Sequence, residues 1–153
     1  MAMKIKDFLM ASNVAIDVPA SDKTALLKEL AARAAACLNL PVDMLSSEIE
    51  RRDELGSTGI GGGVSLPHAR LREVKKPFGL FVRLKNPIEF DAIDGRPVDL
   101  VFLLMLPASS QLEQLNALAA VARRLRDPQV LQKLREATTS GELYTAVSGH
   151  QSG

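Results

Sequence analysis

The stretch Leu100-Val101-Phe102-Leu103-Leu104-Met105-Leu106 is apolar at every position. Even extended to Ala108 it reaches only about half of the roughly 20 residues that a membrane-spanning helix needs. A strand with one face in water would alternate apolar and polar residues. An unbroken run belongs instead to a strand covered on both faces, which calls for helices layered above and below a sheet. Val98 to Leu106 is therefore read as a buried strand, and the chain as α/β.

The flanking sequence fits such a sheet. Val14 to Val18 reads as a short strand ended by Pro19, and Ser21 or Asp22 can cap a following helix. Leu26, Leu30, Ala34 and Cys37 recur at helical spacing, so residues 22–38 are predicted to be an amphipathic helix with Cys37 on its inner stripe. Pro41 and Asp43 open a second helix over about 42–53. Val64-Ser65-Leu66 and Phe78 to Leu84 are further strands, and Asp94-Gly95 marks the turn of a hairpin leading into Val98.

The C-terminal third reads as helical. Leu112, Leu115, Leu118, Ala119, Ala122 and Leu125 suggest an apolar stripe over 109–126. Asp127-Pro128 starts a new helix with Val130, Leu131 and Leu134 inward. Thr139 and Glu142 form a capping box for a last helix near 140–148. The expectation is a single domain over 1–153, with a core of about 5–148, built as a mixed β-sheet flanked by helices on both faces.

Composition removes several classes of function. Hydrophobic residues at 46% and charged residues at 24% exclude a disordered or fibrous chain. Cys37 is the one cysteine, so no disulfide forms within the chain, and with His68 and His150 the only histidines a transition-metal centre is not expected. A net charge of +1 supplies no field that would draw the chain to nucleic acid or an anionic membrane. Lys4 and Lys6 before Phe8-Leu9-Met10 imitate a secretion signal only faintly, because Asp7, Ser12 and Asn13 interrupt it. Cytoplasmic localisation, without membrane insertion, is the expectation.

One segment concentrates chemistry. Five of the ten glycines, Gly56, Gly59, Gly61, Gly62 and Gly63, fall within eight residues. That density predicts a loop with unusual backbone angles, whose N–H groups can converge on an anion. Ser57 and Thr58 add hydroxyls, and Arg52 adds a planar charged fork suited to phosphate oxygens. The P-loop pattern fails because no Lys-Ser/Thr follows Gly61, and the dinucleotide fingerprint fails because Val64 stands at its third glycine. Just beyond the loop stands Pro67-His68. A neutral imidazole keeps one nucleophilic lone pair near pH 7, and can take up a phosphoryl group and release it again. The bland readings are a structural histidine and a glycine turn. The basic residues Arg123, Arg124, Arg126, Lys133 and Arg135 read as a solvated helix face, and His150, in a polar tail, as incidental.

The run Gly-Ser-Thr-Gly-Ile-Gly-Gly-Gly-Val-Ser-Leu-Pro-His, Gly56 to His68, resembles the active-site signature of the mannitol/fructose-type (type 2) enzyme IIA domains of the bacterial phosphoenolpyruvate-dependent phosphotransferase system. Phe90-Asp91-Ala92-Ile93-Asp94-Gly95-Arg96-Pro97-Val98, Leu106-Pro107-Ala108 and Gly141-Glu142-Leu143-Tyr144 resemble its nitrogen-regulatory branch. The resemblance implies that His68 is the phosphoryl acceptor, through its Nε2, with Arg52 as a phosphate-binding neighbour. Ser57, Thr58, Gly59 and Gly61 of the signature loop are carried as phosphate-binding candidates. It also implies no cofactor, an HPr-like phosphocarrier as donor, and protein targets that respond to the phosphorylation state: a phosphoryl carrier more than a turnover enzyme.

The chain departs from many of these relatives at one position. Where they carry a second histidine after Leu-Pro-Ala, this sequence has Gln114, which can donate an amide hydrogen bond to phosphate but cannot become charged. Two other readings share the same loop. One is a sugar-uptake IIA component that passes phosphate to a IIB protein. The other is a regulatory module that binds an anion without transferring a phosphoryl group.

Overall fold

The computed structural model describes residues 3–149, so His150 lies outside the described residues. The strands are β1 (Val14–Val18), β2 (Gly59–Gly61), β3 (Val64–Ser65), β4 (His68–Leu71), β5 (Phe78–Ile88) and β6 (Val98–Pro107). The helices are α1 (Lys23–Leu38), α2 (Val42–Glu54), α3 (Gln111–Arg124), α4 (Pro128–Glu136) and α5 (Ser140–Ser148). All six strands join one mixed sheet in the order β1-β5-β6-β3-β2, with β4 also paired to β6. Strands β5 and β6 are antiparallel, whereas β1 runs parallel to β5, and β3 and β4 both run parallel to β6.

The apolar run behaves as its composition requires. Alternation along a strand sends Val101, Leu103 and Met105 to one face, where they meet Leu26, Leu30 and Ala34 of α1 and Leu45 and Ile49 of α2. Leu100, Phe102, Leu104 and Leu106 go to the other face, against Ala117 and Val121 of α3, Leu134 of α4 and Leu143 and Val147 of α5. Ile5, Phe8 and Leu9 join this second layer, so the segment that imitated a secretion signal is a buried part of the fold. No described helix is long and apolar enough to cross a membrane.

Several local expectations need correction. Cys37 is exposed, with its thiol 3.4 Å from Asn13 Oδ1. It lies at the border of the α1 stripe in the last turn, beside the start of β1. Helix α3 keeps part of the predicted stripe, since Leu118 and Ala122 pack on the core and Leu125 is buried, but its inward face is shifted: Gln114, Ala117 and Val121 are buried, whereas Leu112 and Leu115 are 70% and 58% exposed. The small Ala117 lets the helix approach the sheet closely, and that choice rotates the two leucines into solvent. Part of the glycine segment is a strand, since Gly59–Gly61 pairs irregularly with β3. The segment after Pro67, read only as the place where His68 sits, is the strand β4.

The basic run is only partly solvated. Arg124 donates to Ala146 O at 2.7 Å, and Arg135 grips both carboxylate oxygens of Asp99, at 2.9 and 3.1 Å. At α5, Thr139 accepts from Glu142 N as a cap should, but the Glu142 carboxylate reaches Thr138 N rather than the cap residue. Hydrogen bonds to that carboxylate from Thr138 N–H, the larger cause, and from the Thr138 hydroxyl hold Glu142 below the usual carboxylate range.

Candidate functional site

Strand β4 delivers the histidine. Leu66-Pro67 interrupts the edge of the sheet between β3 and β4, because proline has no N–H to give the ladder. Leu104 N still donates to Pro67 O at 2.9 Å, which holds the break against β6. Beyond the break, Ala69 and Leu71 point into the core, and His68 and Arg70 share the opposite face. His68 is partly buried there.

Both ring nitrogens of His68 have defined partners. Nδ1–H donates to Leu66 O at 2.9 Å, so the lone pair resides on Nε2. Arg52, in the last turn of α2, donates Nε–H to that lone pair at 3.3 Å and Nη1–H to Gly56 O at 2.8 Å. Burial lowers the imidazole pKa below the ordinary histidine value of about 6.5; the Leu66 bond opposes this, and the Arg52 and Arg70 charges reinforce it. The ring is consequently neutral at pH 7 and presents its Nε2 lone pair to Arg52.

A cavity of about 440 Å³ opens over the ring. Arg51, Arg52 and Arg70 line it with Glu48, and Leu55, Leu106 and Gln114 complete the walls. Three arginines against one glutamate make it a site for an anion. Gln114 is only 8% exposed, and its amide donates to Pro107 O at 2.9 Å. The glutamine at this position is thus no surface residue of α3; it is a buried neutral wall of the cavity.

The glycine segment builds the frame behind the ring. Gly61, Gly62 and Gly63 have φ of +98°, +67° and +79°, a left-handed region that suits glycine. Gly59 packs so closely on the 89–97 connection that a Cβ would come within 2.8 Å of Ala92 Cα. The hydroxyls here are committed within the frame: Ser57 donates to Phe90 O at 2.5 Å, and Thr58 and Ser65 share a hydrogen bond of 3.1 Å. Lys23 pins the same region by pairing with Asp53 and Asp91 at 2.9 and 3.2 Å. So the fold brings Arg52, His68 and Gln114 to one cavity, while Ser57, Thr58, Gly59 and Gly61 stand behind it.

This arrangement can be set against known proteins. Residues 7–149 match the family described as phosphoenolpyruvate-dependent sugar phosphotransferase system, EIIA 2. The chain belongs to that family. It is 38% identical over 146 residues to the nitrogen regulatory protein of Bradyrhizobium diazoefficiens, which covers 95% of each chain. The crystal structure of nitrogen regulatory protein IIA-Ntr from Neisseria meningitidis matches with a TM-score of 0.89 at 30% identity, over 94% of this chain and 98% of that one. Mannitol IIA of Escherichia coli, in a complex with phosphorylated IIB, matches with a TM-score of 0.76 over 94% and 100% of the chains; at 16% identity this is a likeness of fold. Within the EIIA type 2 family, the chain stands with the nitrogen-regulatory proteins.

Sequence reading of this EIIA domain passed over Glu48, Arg51, Arg70 and Leu55 in the cavity wall. Arg70 had a usable signal: two residues beyond His68 on a strand, a side chain shares its face. Arg51 and Glu48 had none, because their approach depends on how α2 lies across β4. The Leu66 carbonyl, which sets the ring tautomer, is backbone and carries no sequence signal.

Proposed function

We propose that this EIIA domain is a histidine phosphocarrier of a nitrogen-related phosphotransferase system, charged on His68 by an HPr-like protein and regulating other proteins through its phosphorylation state. The observation that carries the reading is the neutral His68 with its Nε2 lone pair directed at Arg52 within an arginine-lined cavity. The lone pair attacks phosphorus on the donor's phosphohistidine. A P–N bond forms at Nε2 as the donor's P–N bond breaks, and the bonding pair returns to the donor nitrogen. The ring gains positive character in that step, and the Leu66 carbonyl stabilises it through Nδ1–H.

Arg52 then changes partner. Its bond to Nε2 is long, so a phosphoryl group can displace it and accept the guanidinium on its oxygens while Nη1 stays on Gly56. Gln114 can turn an amide hydrogen toward the same oxygens. Phosphorylation adds about −1.5 to −2 in charge. Against three arginines and one glutamate, that roughly cancels the positive charge around His68, and a protein that docks there meets a surface that has lost it. A cytoplasmic location accompanies this reading.

The test is incubation of the purified chain with phosphoenolpyruvate, enzyme I and HPr-type donors, followed by intact mass beside His68→Ala. One acid-labile phosphate in the wild type and none in the variant is the expected result. Labelling of His68→Ala would overturn the assignment. Fast onward transfer to a sugar-specific IIB would favour the uptake role over the regulatory one. No labelling by any donor would leave anion binding.

A further inference from the structure

Thr58, Ser65 and Gln114 are the buried polar residues of the described chain, at 4%, 0% and 8% exposure. A buried hydroxyl is costly unless hydrogen-bonded, and an apolar pair would pack as well. Gln114 faces the cavity. Thr58 and Ser65 do not; they bond only to each other across the hairpin of β2 and β3.

That hairpin carries the Leu66 carbonyl. Thr58 O accepts from Leu66 N at 2.9 Å, and the Thr58–Ser65 bond closes the same rung through the side chains. The backbone ladder is otherwise slight: Gly59 pairs with Ser65 and Gly61 with Val64, with a register shift between them. Glycine strands have little side-chain packing to hold them. Leu66 is thus held from two sides, by the ties of Ser65 and Pro67 to β6 and by the rung that Thr58 and Ser65 close, and that rung is the side-chain contribution to the direction of its carbonyl.

We propose that the buried Thr58–Ser65 hydroxyl pair is a positioning device that selects Nε2 of His68 as the reactive nitrogen, by holding the Leu66 carbonyl on Nδ1–H. The pair touches no reacting atom. Its purpose rests on His68 being the phosphoryl acceptor, but its effect exists in the unphosphorylated protein and is measurable there. A histidine tautomer follows the hydrogen bond made by its other nitrogen, so loosening the rung releases Nδ1–H and admits the tautomer with its lone pair on Nδ1.

The experiment is long-range nitrogen–proton NMR of the His68 ring in the full, unphosphorylated chain, with the signals assigned by their loss in His68→Gln. Thr58→Val with Ser65→Ala removes both hydroxyls and leaves neither unsatisfied, so it separates positioning from the cost of an orphaned polar group. In that double variant the tautomer with the Nδ1 lone pair is expected to gain about five- to tenfold relative to the other, the scale of one net hydrogen bond. Phosphoryl uptake should slow in the same variant, whereas Thr58→Ser with Ser65 intact should keep both properties at their wild-type values. A folded double variant that keeps the wild-type tautomer overturns the proposal. So does failure of both the double variant and Ser65→Ala to fold, which would make the pair a folding element. Because the readout needs no donor, failure of the carrier reading leaves it standing or falling on its own.

Discussion

At the scale of single residues, His68 is governed by two neighbours with opposite demands. The Leu66 carbonyl favours a proton on the ring, whereas burial and the Arg52 and Arg70 charges disfavour a second one, and the second set prevails. The folded pKa is therefore below the unfolded value of about 6.5. As pH falls through 6.5, the unfolded chain binds a proton before the folded chain does, so stability declines until pH drops below the folded pKa. Above 6.5 both forms are neutral and His68 contributes no slope. Urea midpoints measured from pH 8 to pH 5 should fall at the acid end more steeply for wild type than for His68→Gln. Equal curves would show that the ring titrates alike in both states. The resemblance of Gly56–His68 to a known signature singled out His68, and the chemistry of guanidinium singled out Arg52. The hydroxyls of Ser57 and Thr58 illustrate the limit: a sequence displays a donor but not where its bond is already spent.

At the scale of elements, α3 shows most clearly how periodicity can mislead. Counting leucines selected a stripe containing Leu112 and Leu115, both of which face solvent. The buried stripe, Gln114, Ala117, Val121 and then Leu125, contains a polar residue and a small one, so it is the weaker signal by hydropathy. What orients the helix is close approach to the sheet at Ala117, with the Gln114 amide adding a hydrogen bond to Pro107 O. Leu112→Ala should change stability by no more than about 0.5 kcal/mol, as exposed substitutions do. Leu125→Ala should cost about 2–5 kcal/mol, as core truncations do. Denaturant unfolding of the two variants checks this, and equal losses would contradict the orientation of α3. Helices α1 and α4 were legible because cap and stripe agree in each; Asp22 accepts from Ala25 N, and Asp127 accepts from Gln129 N with Pro128 at the first position, as the sequence suggests.

At the scale of the whole molecule, β6 is the shared wall between two cores. Phe102 lies in the second of them, fully buried, with its ring 6.2 Å edge-to-face from Phe8 and 5.5 Å from Phe81. Gly79 makes room for it, since a Cβ there would fall 2.9 Å from Phe102 Cε1. Phe102→Ala should cost about 3–5 kcal/mol and lower the thermal midpoint, measured by calorimetry. The loss should appear as one cooperative transition, because the N-terminal segment, the sheet and α3 all meet at that ring. Separate transitions for the two layers would show that β6 does not couple them. The same wall serves the site: β6 holds β3 and β4 end to end along one edge, and so fixes the break from which His68 projects.

The sequence by itself determined the strand buried on both faces, the α/β class, most helix boundaries and the choice of His68 as the candidate acceptor. These rest on information local to the chain: hydropathy period, capping residues, and a contiguous motif. Only the tertiary structure decided which face of α3 turns inward, which hydroxyls remain free, that Cys37 stays outside the core, and that Arg51, Arg70 and Gln114 converge on His68. Each of those depends on distances between segments remote in sequence. It is the packing of helices on the sheet, more than the preference of any single residue, that sets them.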